Sequence, residues 1–102
     1  CTMLDALEAA LKDLGATKVK RVKSRGCILL VVEVGGGVYL ISIVEGGLTN
    51  NYVGKVVPSA KVFTWDCSEV EYSPYGLYAL ASSSDELISK IINKLQLIMT
   101  AY

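Results

Sequence analysis

The sequence has no histidine, two prolines, one phenylalanine and one tryptophan among 102 residues. Neither charge is in excess, with ten basic and ten acidic side chains. Without histidine there is no Ser-His or Cys-His nucleophile pair and no imidazole metal ligand. The three cysteines, Cys1, Cys27 and Cys67, are an odd set with no C-x-x-C spacing. That pattern speaks against a zinc site and against a secreted disulfide framework, and favours reduced thiols. No apolar run reaches the ~18 residues of a membrane-spanning helix, so no membrane partner is expected. No basic-then-apolar leader opens the chain, so no secretory signal is expected and the cytoplasm is the expected location. Cys1 has no recognisable base beside it to make it a nucleophile.

What is present is apolar and long enough to fold. Apolar residues make up 52% of the chain. A chain of this length buries roughly 65% of its unfolded surface, so a core needs no staple. No linker, repeat or low-complexity tract interrupts it, and one domain is expected over 1–102. Charge is neutral in sum but polarised along the chain. Lys18, Lys20, Arg21, Lys23 and Arg25 are half of the basic residues, while Asp66, Glu69 and Glu71 gather elsewhere.

Residues 2–5 read as a capping-box variant with Thr2 as cap, and Met3, Leu4, Leu7, Leu11 and Leu14 recur at helical spacing up to Gly15. Residues 17–23 are β-prone and basic. Val19 and Val22 have opposite parity, which predicts a bulge or an early strand end, and lysine is a common protection for an edge strand. Residues 27–34 and 38–44 are β-branched runs joined by Gly35, Gly36 and Gly37, a hairpin. Residues 45–60 read as a long connection in which 52–57 can add a short strand. A strand at 61–65, a turn at 66–68, a short strand at 69–72 and a strand at 76–81 follow. Ser83 and Glu86 then form a capping box ahead of a helix whose stripe is Leu87, Ile88, Ile91, Ile92, Leu95, Ile98 and Met99.

The fold class is therefore α+β: an antiparallel sheet of four or five strands with an N-terminal and a C-terminal helix packed on one face. If Val34 opposes Val38, Leu29, Val31, Ile41 and Ile43 share a face, with Glu33 opposite Tyr39 at its rim. Two helices cover only one face. The set Leu29, Val31, Tyr39, Ile41 and Ile43 is then left bare, which predicts a homodimer or larger homo-oligomer through that patch.

Chemistry is sparse. The glycine triplet joins two strands and lacks the G-K-[ST] and helix N-terminus that cradle phosphate. Glu33, Asp66 and Glu69 are the acids to weigh for a metal nuclease, but the companion acid-x-Lys pair is missing. No catalytic residue, metal site or cofactor is expected. Cys67 lies among acids, which raise a thiol pKa, and Cys27 starts an apolar strand as a small hydrophobe. The Ser82, Ser83 and Ser84 cluster is a cap.

The expected function is binding rather than catalysis. A basic strand of Lys18, Lys20, Arg21, Lys23 and Arg25 can track a phosphate backbone. Tyr52 and Trp65 are the first candidates for stacking on splayed bases, from an aromatic set that also includes Tyr39, Tyr72, Tyr75 and Tyr78. Single strands are the expected form, because no basic recognition helix is present. The alternative is a protein-interaction or assembly module that uses the bare apolar sheet face. A small-ligand site between the sheet and residues 46–60 has no specific feature behind it.

Overall fold

The computed structural model describes residues 3–24, 26–46 and 51–101, with the backbone alone at 23, 24 and 46. Helix α1 spans Met3–Leu14, and Gly15 follows it at φ +117, the positive φ that only glycine adopts without strain. Strands β1 (Lys18–Ser24), β2 (Cys27–Val34), β3 (Gly37–Gly46) and β4 (Asn51–Pro58) come next. A 3-10 turn at Ser59–Lys61, helix α2 (Cys67–Tyr72), strand β5 (Leu77–Ala81) and helix α3 (Ser84–Ala101) complete the chain. The strands form one antiparallel sheet in the order β1-β2-β3-β4-β5, so β1 and β5 are its edges. This is the α+β architecture expected from the sequence, with both long helices on one face.

Helix α3 lies across β4 and β5, and α1 lies beside it toward β1. Their apolar stripes meet Leu30, Val32, Val34, Tyr39, Ile41, Ile43 and Val56 in one core cluster. At Gly54 the approach is close: a Cβ there would sit 3.3 Å from Leu87 and Ile91. Each Leu or Ile so enclosed is worth about 1.5–3 kcal/mol relative to exposure, which makes this face the main source of stability. Ser83 caps α3 by accepting from the Glu86 N–H at 3.2 Å, as its sequence pattern implies. The expected Thr2 cap of α1 lies outside the described residues, as do Cys1 and Arg25.

The hairpin register differs from the expected one by a single residue. Val34 pairs with Gly37, not Val38, because the loop is the two residues Gly35 and Gly36, at φ +61 and +79. Positive φ at both positions matches the tight turn whose twist suits a hairpin. A slip of one residue exchanges the faces of a whole strand. Tyr39, Ile41 and Ile43 therefore join Leu30 and Val32 under the helices, while Leu29 and Val31 lie on the opposite face. The five residues expected to form a bare patch do not share a face, and Leu29, Tyr39, Ile41 and Ile43 are buried within the chain. Glu33 pairs with Val38 rather than Tyr39.

Strand β1 runs in unbroken register against β2, without the bulge expected from Val19 and Val22. The two valines serve different faces: Val19 packs on the helix-side cluster and Val22 on the other. Residues 51–58, read from sequence as part of a long connection, are a full interior strand.

The second face is covered by the chain between β4 and β5. Residues 61–65 are not a strand, and residues 69–72 belong to α2. The helix starts because Asp66 accepts from the Glu69 N–H at 2.9 Å, an N-cap stronger than the weak strand propensity of 69–72. Val70 of α2 packs with Leu29, Leu40 and Val57 in a second, smaller cluster. Cys67 and Cys27 form a disulfide with a Cα–Cα distance of 5.9 Å, which replaces the reduced thiols expected from the odd cysteine count. The fold places them together; their sequence spacing alone carries no such signal. Lys55, 1% exposed, donates to the Ser73 carbonyl at 2.7 Å and stacks its ammonium 4.0 Å from the Tyr78 ring centroid. The Tyr78 hydroxyl in turn donates to the Glu71 carbonyl. Disulfide, buried lysine and Val70 fasten the connection to the sheet.

Candidate functional site

Alternation along β1 divides the basic run between the two faces of the sheet. Val19 and Arg21 face the helices, and Lys18 and Lys20 face the other way. Arg21 reaches α1, where it donates to Asp5 at 2.8 Å and to Glu8 at 2.9 Å through Nε. The hydrogen bond to Glu8, and then that to Asp5, raises the Arg21 pKa further above its ordinary value. The guanidinium is thus engaged by two carboxylates of its own chain. The side chain of Lys23 is not described and Arg25 lies outside the described residues, so the structure places three of the five basic residues.

Lys18 and Lys20 are exposed and wall a cleft of about 240 Å³ with Val31, Glu33, Val38 and Trp65. Among the described residues neither lysine makes an ion pair. Trp65 is the chain's single tryptophan and is 48% exposed. Its place is set from both sides. Thr64 Oγ1 donates to Asp66 Oδ2 at 3.0 Å, Asp66 caps α2, and Cys67 is bonded to the first residue of β2. Trp65 is therefore held over the β1–β2–β3 side of the sheet, where the two lysines emerge.

Tyr52 does not join this cleft. It pairs with Ala81 near the β5 edge and lines a separate cavity of about 420 Å³ with Leu80 and Glu86. Sequence reading treated Tyr52 and Trp65 as equivalent stacking candidates, and only the topology separates them.

In comparisons with known proteins, no family model, curated protein or solved structure matches the chain. The site rests on its own chemistry.

That chemistry is a pair of ammonium groups, one half-exposed indole and one carboxylate around a small apolar floor. At about 240 Å³ the cleft falls below the roughly 300 Å³ at which sites for drug-sized molecules begin, and suits a single planar ring. Sequence reading missed the contribution of Val38 to the floor and treated Glu33 only as a metal or cross-strand partner. Val38 enters the cleft through the β2–β3 register, which sequence patterning misplaced by one residue, while Glu33 lies there because it alternates with Val31 and pairs with Lys18. Among the described residues no helix is long and apolar enough to cross a membrane.

Proposed function

We propose that this protein binds single-stranded nucleic acid without acting chemically on it, seating one base against Trp65 with neighbouring phosphates on Lys18 and Lys20. The observation that carries the reading is the convergence in one cleft of two i, i+2 lysines from an edge strand and the only indole. Base–aromatic stacking is worth about 1–3 kcal/mol per base, and it does not require a helix in a groove. Glu33 adds selectivity. As an acceptor-only carboxylate it favours the exocyclic amino donors of adenine, cytosine and guanine over thymine and uracil, whose single imino N–H lies between two carbonyl oxygens that repel it.

The Cys27–Cys67 disulfide bears on location. Such bonds persist in oxidising compartments and, inside cells, chiefly in hyperthermophiles. The proposed nucleic-acid partner is the reason for placing the protein in the second setting, the cytoplasm. The competing reading, an assembly module built on the bare hairpin face, relies on Leu29, Tyr39, Ile41 and Ile43, which lie inside the protein.

The test uses the lone tryptophan as reporter. Oligocytidylate should quench Trp65 fluorescence, and Trp65→Ala, followed by the anisotropy of a labelled oligomer, should weaken binding roughly 5- to 150-fold, the equivalent of one stacked base. Tyr52→Ala should leave affinity unchanged. Two lysine–phosphate contacts give a slope of log K against log salt near −1.4, at about 0.7 per contact on a single strand. No quenching at low salt, or a slope near zero, would refute the reading.

A further inference from the structure

Among the described residues five aromatic side chains are exposed: Phe63 (99%), Trp65, Tyr72 (81%), Tyr75 and Tyr78. All five fall between residues 63 and 78, in the connection fastened over the second sheet face and at the head of β5. Solvent exposure of that many rings in one stretch is costly and marks a contact surface. Their placement links them to the cleft. Val38, on the floor of the Lys18–Lys20–Trp65 cleft, also walls a depression of about 370 Å³ that ends at Lys61. Lys61 in turn walls a cradle of about 500 Å³ with Phe63, Tyr72 and Tyr75. Its ammonium lies 4.9 Å from the Tyr75 ring centroid. The three hollows thus share walls and alternate cations with rings.

We propose that a single strand seated at Trp65 continues past Val38 to a second subsite, where Lys61 meets a phosphate and Phe63, Tyr72 and Tyr75 take bases. This rests on the reading above and extends its footprint. Backbone-tracking cations interleaved with aromatic platforms are the pattern of non-specific single-strand binding. Glu69 lies in the cradle as Glu33 lies in the cleft, and both carboxylates direct phosphates toward the lysine side. A proline-rich peptide is the other ligand that aromatic-lined grooves attract, but it draws nothing from the lysines of the continuous path.

The experiment compares oligocytidylates of about four and about twelve nucleotides, lengths that bracket single-strand site sizes. The full chain is used, with folding checked by circular dichroism. The short oligomer should quench Trp65 and be indifferent to Phe63→Ala and Tyr75→Ala. The long one should bind more tightly than the short, lose roughly five-fold or more with either substitution, and show a salt slope shallower by about 0.7 in Lys61→Gln. If both lengths bind equally and neither substitution matters, the second subsite is refuted while the Trp65 site stands. If neither length binds, both readings fall. Phe63-dependent binding of a proline-rich peptide without any Phe63 effect on the long oligomer would also overturn the extension.

Discussion

Single residues here show how much a backbone position can demand. Gly76 precedes β5 at φ +86, and a Cβ on it would lie 2.2 Å from the Val56 carbonyl oxygen. Gly76→Ala should cost more than about 3 kcal/mol, from backbone strain added to a clash with main chain that cannot move aside. Gly15→Ala, also at positive φ but with nothing within 4 Å, should cost only the strain of about 1–3 kcal/mol. Urea denaturation separates the two. Near-equal losses would show that the Gly76 contact relaxes. A second residue-level effect is electrostatic. The hydrogen bond from Lys90, followed by the backbone N–H of Ser82, holds the Glu86 carboxyl below its ordinary pKa of 4.5. A depressed folded-state pKa means stability that is present above the unfolded value and lost as pH falls through the folded one. Lys90→Met should therefore flatten the fall in stability below about pH 4.5, with little change in the slope at neutral pH. An unaltered acid limb would remove the pair from the stability of α3.

At the scale of elements, the connection over the second face depends on a covalent tie between residues 40 apart in sequence. A disulfide closing a loop of that size is worth about 4 kcal/mol in the chain-entropy account. Reduction, or Cys67→Ser, should lower Tm by roughly 15 °C or more at about 4–8 °C per kcal/mol. A shift of only a few degrees would mean that Val70, Lys55 and Ser73 hold the segment unaided. The elements also show what patterning can reveal. Helices α1 and α3 were legible because their apolar stripes exceed three turns and end in recognised signals, Gly15 and Ser83. Strand β4 was obscured by Gly54 and Pro58, which look like loop residues. In the fold Gly54 makes room for Leu87 and Ile91, and Pro58 closes the strand. Helix α2 was obscured because six residues are too few for periodicity to register, and only the Asp66 cap betrays it.

For the molecule as a whole, the one-residue register change alters the expected surface. With Tyr39, Ile41 and Ile43 internal, the protein has no need of a second copy to hide the hairpin, and light scattering should report a monomer. Ile41→Lys then distinguishes an interface from a core. At an interface it would dissociate an assembly and leave a folded protein. Here it places an unpaired charge at a fully buried position, so cooperative unfolding should be lost or weakened by more than about 4 kcal/mol. A well-folded Ile41→Lys monomer with near-native Tm would overturn this placement of β3.

The sequence by itself determined the two long helices, the central hairpin and the class: two amphipathic helices flanking β-branched runs admit little but helices laid on an antiparallel sheet, because apolar stripes must find apolar faces. It also marked the basic run and the aromatic residues as candidate binding groups. Only the tertiary structure decided which of them meet. Alternation on β1 sent Arg21 to the carboxylates of α1 and left Lys18 and Lys20 facing Trp65, a partner some 45 residues away that the α2 cap and the disulfide bring into place. Local pattern fixes what a long periodic segment becomes. Which face a side chain takes depends on the pairing register, and a single residue in a glycine turn sets that.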